Sequence, residues 1–159
     1  MSSLSAAIGT LFGLVTLTFV DQYLADAPTP LSCFCPPTGA LAVVIFCMAK
    51  APAAQPYNVV VSHLVSAAAA VAVHTFYEAI VPAAYAAALP VTHLALVAAA
   101  LAMMQLGVLN PPAAAYAAVV AGKKMSIEAA LTGPGVLGAL VLVAASKVYG
   151  FGAAKVKTA

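Results

Sequence analysis

Arginine and tryptophan are absent from this chain, and charge of either sign is scarce. Six lysines and four carboxylates are spread over 159 residues, so that 6% of the sequence is charged. An ordinary soluble domain carries roughly 25%. Without a basic stripe there is no footprint for nucleic acid. The cysteines number three, Cys33, Cys35 and Cys47. Cys33 and Cys35 are too close in sequence for an unstrained disulfide, and the second ligand pair of a zinc site is missing. They read as small apolar fillers. No nucleophile–base pair, Gly-rich phosphate loop or carboxylate dyad is present, and no enzyme is expected.

What the chain does have is apolar surface. Hydrophobic residues make up 65% of it, more than a soluble fold of this length can hide in its interior. The sequence therefore reads as one all-α integral membrane domain over residues 1–159, with the lipid bilayer as its solvent. The start of the chain shows neither a basic n-region nor an Arg-rich presequence, so the first apolar run is expected to be a retained span.

Residues 4–20 form that run, stopped by Asp21-Gln22. Gly9 and Gly13 give it a small-xxx-small packing face. A polar connection with Asp26, Pro28 and Pro30 follows. Pro36-Pro37-Thr38-Gly39 then opens an apolar run ending at Ala49-Lys50; residues 38–49 are about 12 residues and ~18 Å as a helix, against a hydrocarbon core of ~30 Å. Residues 57–77 are long enough to span. The loop 79–90 is apolar and suits the interface. Residues 91–109 span again, with Gln105 expected to bond a neighbouring helix. Asn110-Pro111-Pro112 interrupts, and the run 113–122 is about 10 residues, again too short. Residues 131–150 form the last span, before a tail with Lys155 and Lys157. The expectation is four full transmembrane helices plus two short broken or re-entrant ones.

The two Pro-Pro sites align at an offset of 75 residues, from Pro36 to Pro111. Each follows a span, opens a short run closed by lysine, and precedes another span. The order suggests two internal repeats, about 1–80 and 81–152. Interrupted segments in matching positions of two halves point to a transport site. A helix that starts inside the membrane leaves its first N–H groups without intrahelical partners, and these must face protein, water or ligand. Proline at the start removes some of those donors. The remainder, at the positive end of the helix dipole, suit an anion. With no arginine to supply full charge, a small monovalent anion fits better than phosphate or a dicarboxylate. Interfacial turns entering tilted helices would give the same pattern.

Two blocks resemble the HPP family of integral membrane proteins, named for a His-Pro-Pro motif. The first runs from Pro37-Thr38-Gly39-Ala40-Leu41 through Ala54-Gln55-Pro56-Tyr57-Asn58 to Ser62-His63-Leu64. The second is Gly107-Val108-Leu109-Asn110-Pro111-Pro112-Ala113, where Asn110 stands in the position of the family's histidine and Leu41 in that of a serine. The resemblance extends over residues 31–150 and implies nitrite transport, in plastid envelopes or cyanobacteria. Asparagine keeps a neutral hydrogen-bond donor but loses the titratable ring.

The candidate anion-binding set is therefore Pro37, Thr38, Gly39, Gln55, Asn58, His63, Asn110, Pro112 and Ala113. His63 and His74 fall on one face of a single helix, ~16 Å apart, while His74, Glu78 and His93 are expected at one membrane surface. The alternative function is a non-catalytic accessory subunit of a large, photosynthetic membrane complex or a homo-oligomer. In that case His63, His74 and His93 are candidate axial ligands for chlorophyll or haem. No cofactor is otherwise implied. Localisation follows the function, to a plastid envelope or thylakoid membrane in a photosynthetic organism and to the plasma membrane otherwise. Lysines give a divided vote on orientation. With re-entrant short helices, Lys50 and Lys123-Lys124 would share a face; if the short helices cross, each half has three segments and the halves become inverted repeats.

Overall fold

The computed structural model describes residues 3–25, 31–82 and 88–158, with side chains to residue 150. The turn read at Asp26, Pro28 and Pro30, the middle of the loop 79–90, and the side chains of Lys155 and Lys157 lie outside it. Seven α-helices, and no strands, occur among the described residues. They are α1 (Ser3–Ala25), α2 (Pro36–Cys47), α3 (Pro56–Ile80), α4 (Val91–Gln105), α5 (Pro111–Gly122), α6 (Ile127–Leu131) and α7 (Pro134–Thr158). A single 3-10 turn, Pro52–Ala54, joins α2 to α3.

Three stretches are long and apolar enough to cross a membrane, Ser3–Ala25, Pro56–Ile80 and Ile127–Gly150. The fourth expected span is shorter than its apolar run. α4 has 15 residues, about 23 Å of helix, and ends at Gln105, which is exposed rather than bonded to a neighbour. Gly107 stops it with φ +68. The Gly107 N–H donates to Met104 O at 3.1 Å and the Val108 N–H to Met103 O at 2.9 Å, which is the Schellman pattern. The same pattern closes α5, where Lys124 takes φ 50 and the Lys124 and Met125 N–H groups donate to Ala121 O and Val120 O.

Asp21 does not stop α1. The helix runs four residues past it, and the carboxylate turns onto the extended segment before α2. Its Oδ1 accepts from Cys33 N at 2.7 Å, Phe34 N at 3.1 Å and Ser32 Oγ at 2.9 Å. Non-helical backbone at membrane depth is tolerated only where protein satisfies it in this way. One aspartate thus supports the middle of the unwound approach to Pro36, while Leu31 N donates to Leu24 O and Cys35 N to the Thr38 hydroxyl.

The packing falls into two groups. α1, α2 and α7 pack together, as do α3, α4 and α5, and the groups meet through α3 on α7 and α2 on α5. Each group has its own buried core, one around Leu17, Leu41, Phe46 and Leu142, the other around Ala67, Met103, Tyr116 and Val120. Gly9 and Gly13 of α1 lie directly on the Phe46 ring, so the small-residue face is a contact with α2.

Successive long elements run in opposite directions. At one end, called near, Ser5 meets Tyr149 at 3.2 Å and Thr10 meets Cys47 at 3.5 Å. Gln55 Nε2 donates to Ala49 O there at 3.0 Å. At the far end Tyr77 donates to Leu89 O at 2.9 Å and Lys124 pairs with Glu78 at 2.5 Å. α2 therefore runs from far to near and α5 from near to far. Lys50 lies near and Lys123-Lys124 far, which is the arrangement of crossing short helices and not of re-entrant ones, the two alternatives left open by the sequence. α2 and α5 therefore run in opposite directions, and before α2 the unwound segment, not the helix, lies beside Leu17 and Asp21 toward the far end.

Candidate functional site

The residues picked out by sequence separate into three places. Pro37, Thr38 and Gly39 open α2 toward the far end. Asn110, Pro112 and Ala113 open α5, next to the near-end turn Pro52–Ala54. Gln55 and Asn58 lie at the start of α3, with His63 about two helical turns below Gln55.

At α2 the N–H groups are already used. Pro36 and Pro37 have none. Thr38 N donates to Cys35 O at 2.9 Å and Gly39 N to the same oxygen at 3.4 Å. The buried Thr38 hydroxyl closes the turn, accepting from Cys35 N at 3.0 Å and donating to Cys35 O at 2.6 Å. Gly39 is open around its α-carbon, with nothing within 4 Å of where a Cβ would stand.

At α5 the same role falls to Asn110, which is fully buried. Its Oδ1 accepts from Ala113 N at 3.4 Å, and Ala114 N donates to Asn110 O at 3.0 Å. Its Nδ2 donates to Ala53 O at 2.9 Å. Both ends of the amide are thus employed, one capping α5 and the other holding the 3-10 turn between α2 and α3. Asparagine is a preferred N-cap because its side-chain oxygen can reach these N–H groups.

Gln55 and Asn58 also face backbone. Asn58 Nδ2 donates to Pro52 O at 2.9 Å and Gln55 Nε2 to Ala49 O. They fold the link between α2 and α3. A cleft of about 520 Å³ opens beside this link, bounded by Phe46, Ala54, Gln55, Pro56, Lys147 and Tyr149.

His63 differs from the others. It is fully buried, with Ser62, Ser66 and Tyr116 also buried nearby in the α3–α5 packing. Its Nδ1 lies 2.8 Å from Val59 O. A carbonyl only accepts, so Nδ1 carries the hydrogen and Nε2 bears a bare lone pair in the neutral ring. That Nε2 is buried without a hydrogen-bond partner. Tyr116 stacks at 6.2 Å between ring centres, tilted by 37°, and spends its hydroxyl on Ala130 O at 2.7 Å.

The HPP transmembrane-region family matches residues 1–155. The chain belongs to the HPP family. No curated protein and no solved structure matches it. In this HPP protein Asn110 offers the donor–acceptor pair that a neutral imidazole also offers, without the capacity to take a proton.

Sequence reasoning missed Ser66, whose hydroxyl donates to Ala113 O and ties α3 to the start of α5. It also missed Tyr116 as the aromatic partner of His63. A second serine one turn after Ser62 at the start of an Ala-rich run is the only sequence signal for the first. The remaining histidines are apart from this cluster. His74 Nε2 donates to Met125 O at 3.0 Å, and His93 is exposed in the first turn of α4. No group of three or more metal-ligating side chains occurs among the described residues.

Proposed function

We propose that this HPP-family protein moves a small monovalent anion, nitrite by family resemblance, across its membrane through the junction of two inverted halves. The observation that carries the proposal is the pair of broken crossings. In each half an unwound segment and a 12-residue Pro-Pro helix follow one apolar helix and lead to another. Exchanging α1 with α4, α2 with α5 and α3 with α7 leaves the set of packed pairs unchanged and reverses every direction. That is the signature of an inverted repeat, in which transporters place their sites between the halves. On this reading the chain crosses six times, and the two broken crossings lie antiparallel at the centre.

The capped helix starts alter where the anion is met. With the first N–H groups of α2 donated to Cys35 O and those of α5 to Asn110, a bare anion finds no free backbone donor in this arrangement. Lys147 and Gln55 at the near-end cleft supply the outer contact. The inner one lies at His63, about 10 Å along α3 from Pro56. Of the candidate set, Thr38, Asn110, Pro112 and Ala113 hold the architecture, and His63 has spare capacity for a ligand.

The test is uptake into proteoliposomes of purified protein. Nitrite or a similar anion should enter faster than into protein-free vesicles, and Lys147→Glu should slow it several-fold. If nitrite, nitrate, chloride and formate all fail to move, the transport reading is wrong.

One observation favours the accessory-subunit reading, namely that no helix N-terminus of the two pairs is left open. Migration of the native protein only within a high-mass pigmented band after mild solubilisation would decide for it.

A further inference from the structure

We infer that His63 Nε2 is the proton-accepting site of a proton-coupled anion step. The inference rests on the transport reading above and gives it a charge balance.

Nδ1 is fixed as a donor by Val59 O at 2.8 Å, so the ring has one tautomer and presents its lone pair at Nε2. That atom is wholly enclosed and unpartnered. A buried acceptor without a partner is costly, and a native structure keeps one where a ligand or proton completes it. Imidazole is the side chain that takes and releases a proton near neutral pH.

His74 Nδ1 is also buried without a partner, but His74 as a whole is only half-buried and lies toward the far end beside Glu78, so His63 is the fully enclosed imidazole of the two. The elements packed on α3 are the turn Pro52–Ala54, α4, α5, α6 and α7. The turn holds no titratable group. α4 brings His93, α6 brings Glu128, and α7 brings Lys147, all exposed, together with Tyr149 at the near end. The side chains of Lys155 and Lys157 on α7 are outside the described residues. α5 brings Tyr116, which stands against the imidazole with its hydroxyl engaged by Ala130 O. On α3 itself, Tyr57 opens the near end, and His74, Tyr77 and Glu78 lie three turns or more away toward the far end. No carboxylate or lysine among the described residues competes for the proton or neutralises an imidazolium.

The step balances simply. Nε2 takes one proton from the aqueous side and becomes N–H. The resulting imidazolium supplies the full positive charge and the donor that the capped helix starts lack. One anion binds it. Release of the anion and of the proton to the other side regenerates the lone pair. No electron is transferred, and the net movement is one proton with one anion. An ion without a counter-charge would meet a severe desolvation cost at this depth, which the pairing removes.

The experiment has two arms on the full-length protein. In proteoliposomes with the membrane voltage clamped at zero and the protein-free leak subtracted, nitrite uptake should rise about tenfold per pH unit as the outside is acidified from pH 8. His63→Asn keeps a donor for Val59 O but has no Nε2, and should flatten that dependence while eluting and melting as the parent does. Steep pH dependence retained in His63→Asn overturns the inference. The second arm reads the ring itself by nitrogen NMR of histidine-labelled protein at pH 7. The His63 Nε2 signal should be of the unprotonated type and convert to the protonated type as sodium nitrite is added. If no anion moves in any vesicle, the transport reading fails by itself. The His63 assignment is then upheld by that conversion and overturned by an unchanged signal.

Discussion

Asn110 donates from Nδ2 to the Ala53 carbonyl at 2.9 Å and so joins the start of α5 to the turn between α2 and α3. Its other amide atom caps Ala113. A single buried side chain therefore fastens the start of α5 to the link between α2 and α3.

Removing that side chain should loosen both contacts. Asn110→Ala loses the cap, about 0.5–2 kcal/mol, and orphans the Ala53 carbonyl, a further ~1–3 kcal/mol. Asn110→Asp keeps the acceptor but loses the donor and buries a charge, and should be worse than alanine. Asn110→His has one acceptor and one donor and should recover part of the loss. Unfolding in detergent, followed by helical circular dichroism, ranks the three. If alanine and asparagine melt alike, the clasp is unimportant.

Gly138 and Gly39 should respond oppositely to alanine. A Cβ at Gly138 would run into the Cys33 carbonyl and the Thr38 methyl, which belong to the approach to α2. Gly138→Ala should therefore cost about 1–3 kcal/mol through overpacking. Gly39 has open space, and Gly39→Ala within a helix should gain roughly 0.5–1 kcal/mol. Thermal melts of both variants check the contrast. A marked loss of anion uptake in the stable Gly39→Ala variant would show that the ligand needs bare backbone there.

Lys124 is held protonated above the ordinary lysine range by its hydrogen bond to Glu78 and by that carboxylate's charge. A raised folded value means the pair contributes fully below the unfolded lysine pKa, and the contribution fades as pH rises through the folded one. The difference in melting temperature between the parent and Lys124→Met should thus be constant from pH 8 to about 10 and shrink above that. It should also shrink in high salt, since both partners are exposed. A difference that persists at high pH and high salt would place the effect in the left-handed backbone of Lys124 instead.

The free thiols should separate by burial. Cys33 and Cys35 are enclosed and Cys47 is exposed. Maleimide titration in mild detergent should modify Cys47 quickly and the other two only after denaturation. Fast modification of all three would mean that the unwound segment before α2 is open.

Much of this architecture is legible in the sequence, and the exceptions have physical causes. Proline pairs announce helix starts because they lack the N–H groups that would be stranded there, and Pro36 and Pro111 do open α2 and α5. The small residues Gly9 and Gly13 announce a close contact but not its partner, Phe46. The end of α4 was hidden because Leu106, Val108 and Leu109 continue the apolar run, while the Gly107 turn ends the helix. α6 was missed although Ser126 caps it, its hydroxyl accepting from Ala129 N at 3.2 Å. Five residues carry too little periodicity to stand out. The roles of Thr38 and Asn110 were not readable either. A polar side chain at a helix start suits a ligand and a cap equally, and only the geometry shows them capping. Direction was unreadable for a similar reason, since a 12-residue helix is too short to say whether it turns back.

The central claim is that α2 and α5 pass through the bundle in opposite directions, making two inverted halves. Single cysteines in place of Lys50 and Lys123, in a background with the native cysteines replaced by alanine or serine, test it in sealed vesicles of one orientation. A membrane-impermeant maleimide added outside should label one of the two positions and reach the other only after the vesicles are opened. Labelling of both from the same side would make α2 and α5 re-entrant and contradict the inverted arrangement.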